Sequence, residues 1–276
     1  MSPSTLALEF PATESPATER VELEILPTQP ADGARALPPT LPARAALVAR
    51  LAARISASTR EIAPFAGVDR AVDAIAENFF GGRRVVLAQP AADRIARGAR
   101  ARAGSVVDAD WRNARADAAR GSAQAAAFEA LVRSARDSDT LVLTSPFIVE
   151  DGTVEALSPR DLLRLRARAP RPVIVLDLLD EDLARAPLTQ AALLIPGTVI
   201  LRGFGRLWRD AGAANAAEIA FVAGPPDLIA SLSAAGDADA VTEELSAAAV
   251  RDLDRAGIER AIQDAATRAR VPFGRD

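Results

Sequence analysis

The chain has no lysine: all 33 of its basic residues are arginine. Histidine, tyrosine and cysteine are absent as well. A GC-rich coding bias favouring Ala, Arg, Gly and Pro accounts for most of this skew, but the chemical consequences hold whatever the cause. Without cysteine there is no disulfide and no thiolate metal site. Without histidine there is no Ser–His–Asp relay and no imidazole ligand. Without lysine no side-chain amine is available to form a Schiff base.

Other absences narrow the field further. The net charge is only −4, so no basic footprint for nucleic acid or an acidic membrane is present. No run of 18 apolar residues occurs, which removes the transmembrane-helix signature. Residues 1–11 lack a basic segment followed by an apolar one, so no secretory signal is expected and the chain is assigned to the cytoplasm. Neither GxGxxG after a strand nor GxxxxGK[ST] is found, and no repeat period stands out.

What is present is a 49% hydrophobic chain of 276 residues, ample for a large core. Residues 1–41 are rich in Pro, Thr, Glu and Ala and read as an extended or disordered arm. Within it VELEIL at 21–26 alternates apolar and acidic residues, as an edge strand or docking segment would. From residue 42 helical and strand signals alternate. Helices are expected over 43–55, 68–79, 91–102, 124–136, 159–169 and 225–232, with Ser158 as an N-cap. Short apolar strands are expected at 84–87, 105–108, 140–145, 173–177, 199–202 and 218–223. The tail, 240–270, reads as one long amphipathic helix or a broken pair. Buried Val/Ile/Leu strands separated by helices indicate an α/β fold with a mostly parallel sheet. In such sheets ligands sit beyond the carboxyl ends of the strands.

Several segments, in order, resemble the large domain of the fold type I pyridoxal-phosphate (PLP) aminotransferases, with histidinol-phosphate aminotransferase and threonine-phosphate decarboxylase as the kin they look like. EIAPFAGVDRAVDAI at 61–75 is similar to the family's turn and helix that cradle the cofactor phosphate. TLVLTSPFIVEDGTVEAL at 140–157 looks like the strand ending in Asn-Pro-Asn-Asn-Pro-Thr-Gly-Thr. VIVLDLLDEDL at 173–183 looks like the Asp-Glu-Ala-Tyr strand end, and VILRGFGRLWRDAG at 199–212 like the stretch bearing Thr-Phe-Ser-Lys. EIAFVAGPPDLIAS at 218–231 looks like the Arg-Ile-Gly-Tyr strand and the helix after it.

The resemblance implies a mostly parallel seven-stranded sheet with helices on both faces. Residues 42–236 would form the large domain and 237–276 a helical remnant, with the family's small C-terminal domain missing or reduced. It also places the family's site on this chain. Gly67, Val68 and Asp69 fall at the phosphate-cradling turn. Asp177 falls where a carboxylate pairs with the pyridinium nitrogen, and Gly205 where a phosphate-binding Ser stands. Arg206 falls at the lysine, and Glu218 at the phosphate-binding Arg.

Most of these positions carry the wrong chemistry. A guanidinium remains protonated and is not a nucleophile at neutral pH. A carboxylate at Glu218 would repel a phosphate dianion. No Asn occurs in 147–150, and Ala91 or Ala92 replaces the ring-stacking aromatic. Asp180 stands at the Tyr. No catalytic residue, no metal and no bound cofactor are therefore expected, PLP being retained only if the resemblance outweighs the missing lysine. Asp177 has a second reading, as an Asp capping the turn that follows its strand. Gly67 likewise reads as a plain turn glycine. The acids Asp180, Glu181 and Asp182 are expected to be solvated, and Trp208 to be core or a partner anchor.

Three functions compete. The first is a degenerate, non-catalytic aminotransferase-like protein with a binding, assembly or regulatory role, as a homodimer or a heterodimer with an aminotransferase homologue. The second is a transaminase or decarboxylase subunit whose partner supplies lysine. The third is a binding module for a small phosphorylated ligand, using Arg202, Arg206 and Arg209.

Overall fold

The computed structural model describes residues 5–7, 22–24, 42–111, 122–148, 154–184, 187–234, 241–255, 261–264 and 267. The side chains of 5–7, 22–24, 148, 154, 183, 206, 207, 233 and 234 lie outside that description. The chain divides into two compact units, residues 1–40 and 41–276.

In the first unit β1 (Thr5–Ala7) pairs antiparallel with β2 (Glu22–Glu24). The alternating stretch at 21–26 thus forms a strand at its centre; the rest of the expected arm lies outside the described residues.

The second unit opens with α1 (Ala43–Ile55), β3 (Ile62–Phe65) and α2 (Val68–Ile75). Then follow β4 (Arg84–Gln89), α3 (Asp93–Arg102), β5 (Ser105–Asp110) and α4 (Ala123–Arg136). Next come β6 (Thr140–Thr144), a small hairpin of β7 (Phe147–Ile148) and β8 (Val154–Glu155), α5 (Pro159–Arg168) and β9 (Val173–Asp177). The described part continues with α6 (Thr189–Leu193), β10 (Thr198–Gly203), α7 (Gly205–Asp210) and α8 (Ala214–Ala217). Then come β11 (Ala220–Ala223), α9 (Pro226–Ala234) and α10 (Glu243–Leu253).

The strands β3 to β6 and β9 to β11 form a seven-stranded sheet in the order β3-β11-β10-β9-β6-β4-β5. Pairing from β5 through β10 is parallel, whereas β11 runs antiparallel to both β10 and β3. The fold is therefore α/β with a mixed, mostly parallel sheet, as the strand pattern predicts.

Successive strand residues point to opposite faces, and the core divides accordingly. Val86, Leu141, Leu143, Ile174, Leu176 and Ile200 pack in one layer with α1, α4, α5 and α10. Val85, Leu87, Val142, Val175, Val199 and Leu201 pack in the other with α2, α3 and α9. Helices thus cover both faces, and the central strands are buried on both sides, which is why they read as unbroken apolar runs.

Local chemistry sets the helix ends. The Ser158 hydroxyl oxygen accepts the Asp161 N–H at 3.1 Å and caps α5, with Pro159 at its first position. Ser122 caps α4 and Thr242 caps α10 in the same way. The helix expected over 68–79 departs from the α form after Ile75. Residues 76–80 make a π turn, and the Phe79 carbonyl accepts the Thr140 hydroxyl at 2.6 Å. The strand expected from 218 begins at Ala220, because Glu218 closes α8. Of the predicted tail helix, 243–253 is present as α10 and residues 261–264 are helical, with 256–260 outside the described residues.

Candidate functional site

Alternation along the strands fixes which side chains look out beyond their carboxyl ends. On the α2 and α3 face Leu87 is followed by Gln89, Val142 by Thr144, Val175 by Asp177, and Leu201 by Gly203. Gln89, Thr144 and Asp177 form a row across β4, β6 and β9 that Leu201 continues on β10, and Gly203 lies one step further out along β10. The turns leading into α2 and α3, and the segment after β9, border it.

Asp177 is the charged member of the row and is 3% exposed. Its Oδ1 accepts the Leu179 N–H at 3.2 Å, so the turn-capping reading of this residue describes the structure. Burial pushes the carboxyl up from 3.8 to about 6; the Leu179 N–H and the Arg94 charge oppose that shift, and the Asp180 charge adds to it.

The other polar members behave alike. Gln89 Oε1 accepts the Ala91 N–H at 3.1 Å, and Thr144 Oγ1 accepts the Ala92 N–H at 3.1 Å. At Gly203 the backbone has a close apolar roof: a Cβ placed there would lie 3.1 Å from Leu179 Cδ2 and 3.9 Å from Val68 Cγ2.

Gly67 enters α2 with φ +103°, and Gly205 enters α7 with φ +47°, a region that favours glycine at both turns. Val68 and Asp69 form the first turn of α2, and no side chain caps that helix start. Leu179, hydrogen-bonded to Asp177 and packed toward Val68 and Gly203, joins these positions into one crevice. A Cβ on Gly205 would stand 3.8 Å from the Leu179 carbonyl oxygen, so this turn borders it too. Arg206 follows within α7; its side chain lies outside the described residues, as do residues 149 and 150 of the stretch that lacks the family's Asn. Glu218 is exposed at the end of α8 and is bound 2.7 Å from Arg209.

Several expectations change. Arg202 follows Leu201 and so points to the opposite face from Asp177. There it pairs with Glu181 at 2.9 Å and Asp182 at 3.2 Å, 14% exposed. It is not an anion ligand of the crevice, and Arg209 is engaged by Glu218. Glu181 is not solvated either: it is 3% exposed and accepts the Leu188 and Thr189 N–H groups and the Thr189 hydroxyl. Trp208 is 1% exposed, so it is core rather than a partner anchor. It meets Phe204 edge-on at 4.6 Å, lies under the Arg54 guanidinium at 4.6 Å, and donates its indole N–H to Asp182. Among the described residues no cluster of three or more potential metal-ligating side chains occurs, and no helix is long and apolar enough to cross a membrane.

Sheet order, crossover pattern and strand-end crevice together define the fold of the PLP-dependent aminotransferases, and solved structures agree. The threonine-phosphate decarboxylase of Porphyromonas gingivalis superposes with a TM-score of 0.59 at 18% identity, over 79% of this chain and 64% of that one. The histidinol-phosphate aminotransferase of Sinorhizobium meliloti, solved with pyridoxal 5′-phosphate, gives 0.63 at 16%, over 82% and 59%. The aromatic aminotransferase of Pyrococcus horikoshii gives 0.63 at 16%, over 81% and 61%. The chain thus spans about three fifths of the length of these relatives. No protein-family model matches it, and no curated protein does.

The residues do not fit a tethered PLP. No side-chain amine exists to bind its aldehyde. Gly205, which borders the crevice, offers no hydroxyl to a phosphate. The uncapped start of α2 suits an anion; Asp177 suits a pyridinium but already accepts the Leu179 N–H.

Proposed function

We propose that this chain is a degenerate aminotransferase-fold protein that performs no PLP chemistry itself and serves a binding, assembly or regulatory role in the cytoplasm, paired with itself or with an aminotransferase homologue. The observation that carries this reading is the lack of any lysine, with Arg206 at the place where the resemblance puts the reactive amine. An arginine cannot release its proton to become that nucleophile.

The spectrum of the purified protein mixed with pyridoxal phosphate tests it. The expected result is a spectrum of free cofactor and no amino-group exchange with any amino acid. A borohydride-fixed adduct mapping within residues 42–276, or transamination by the isolated chain, would falsify the reading. Light scattering at micromolar concentration checks the pairing, for which a dimer mass is expected and a monomer mass counts against self-association.

The second reading, a subunit completed by a lysine-bearing partner, draws on the retained Asp177. The Leu179 hydrogen bond gives that carboxylate a task without a cofactor, which favours the first reading. A phosphorylated-ligand site is disfavoured by the carboxylate partners of Arg202 and Arg209.

A further inference from the structure

We infer that the strand-end crevice has become part of the core, sealed by Leu179 and Val68, and admits neither pyridoxal phosphate nor its amine form, pyridoxamine phosphate. The inference deepens the proposed function but stands on a different observation. Missing lysine removes the covalent tether; it does not prevent a cofactor from sitting in the crevice by hydrogen bonds and charge alone. Packing does.

The row of strand-end side chains is turned to internal work. Gln89 holds the Ala91 amide, Thr144 holds the Ala92 amide, and Asp177 holds the Leu179 amide. In each case a polar group that could face a ligand instead accepts a backbone N–H: Gln89 and Asp177 from the turn that follows their own strand, Thr144 from the turn that follows β4. The three bonds tie these turns to the ends of β4, β6 and β9.

The bond from Asp177 has a particular result. It shapes the turn so that Leu179 Cδ2 stands 3.1 Å, and Val68 Cγ2 3.9 Å, from a Cβ placed on Gly203. Both side chains, like Ala91 and Ala92, are partly buried and pack against the apolar layer on that face of the sheet. A planar ring needs clear space on both of its faces, and here a single added Cβ on Gly203 would already be crowded by Leu179 Cδ2 and touch Val68 Cγ2. In the Asp-Glu-Ala-Tyr motif that 173–183 resembles, Leu179 stands at the Ala, so three additional carbon atoms occupy this corner. Asp177 is left almost without solvent, 3% exposed beneath that roof.

Calorimetric titration of the full chain with each cofactor, joined to absorption spectra of Arg206→Lys, Leu179→Ala and the double variant, tests the seal. Wild type is expected to show no saturable binding of either compound up to millimolar concentration. Arg206→Lys alone should remain colourless with pyridoxal phosphate. The double variant should gain a visible imine band as the introduced amine condenses with the aldehyde and releases water, and borohydride should reduce that C=N bond to a stable amine. One-to-one binding of pyridoxamine phosphate by wild type would overturn the seal while leaving the proposed lack of catalysis intact, because the amine form needs no lysine. Amino-group exchange by wild type would sink the functional reading instead. Equal imine bands in Arg206→Lys and the double variant, or none in either, would show that Leu179 is not what excludes the ring. The wild-type titrations decide the question even if a variant fails to fold.

Discussion

Asp177 and Glu181 are both buried carboxylates four residues apart, and the fold treats them in opposite ways. Asp177 has one backbone N–H for company, and burial raises it from 3.8 to about 6. The folded protein therefore holds this proton more tightly than the unfolded chain does. The resulting stabilisation is fully present below 3.8 and is lost as pH rises through about 6. Asp177→Asn keeps an acceptor for Leu179 and removes the charge. It is expected to flatten the stability profile in that window and to exceed wild type at neutral pH by up to roughly 3 kcal/mol. Urea unfolding at a series of pH values measures this, and an unchanged slope in the variant contradicts it. Glu181 instead has a full set of partners, including Arg202 at 2.9 Å. Removing one member of a buried pair strands the other, so Arg202→Ala should cost roughly 3–5 kcal/mol. Joint replacement by Arg202→Met and Glu181→Gln should cost less, and an equal loss in the same denaturation assay argues against the pair. Three acids in a row read as solvated because the cation that buries Glu181 arrives from another strand, a pairing no local spacing reveals.

At the level of elements, those with a strong periodic signal matched. The helix 43–55 and the strand 173–177 fall where apolar spacing puts them, and Ser158 is the cap its position before Pro159 suggests. Ser158→Ala should therefore destabilise by about 1 kcal/mol, read as a fall in melting temperature; no change would remove the cap from the account. The strand Ile62–Phe65 escaped notice. It is four residues long and contains Pro64, which reads as a breaker. An edge strand tolerates that proline, because one of its sides carries no sheet partner. The crevice was legible in part. Asp177, Gly67 and Gly205 could be placed by motif order, whereas the inward hydrogen bonds of Gln89 and Thr144 depend on loops whose course only the fold supplies.

For the molecule as a whole, the missing residue types have a thermodynamic signature. With no His, Cys, Tyr or Lys, no side chain titrates between the carboxylates and arginine. The terminal amine, near pH 8, is the exception. Stability should accordingly be level from about pH 9 to about 11, where tyrosine and lysine unsettle ordinary proteins. Differential scanning calorimetry across that range checks it, and a decline setting in near pH 10 would contradict the expectation. The α/β class and the mostly parallel sheet could be read from the alternation of buried strands and helices. The strand order could not, since it depends on which runs meet after the helices pack.

That order has one further result for how the chain comes together. Ile62–Phe65 finds its sheet neighbour in Ala220–Ala223, with Ala63 opposite Val222. The earliest strand of the large sheet thus stays unpaired until the last one has been synthesised, and β11 is the clasp that ties the first strand of that sheet to the rest. Helices α1 and α2 pack beside β3, so the beginning of this unit gains its sheet partner only when Ala220–Ala223 has left the ribosome.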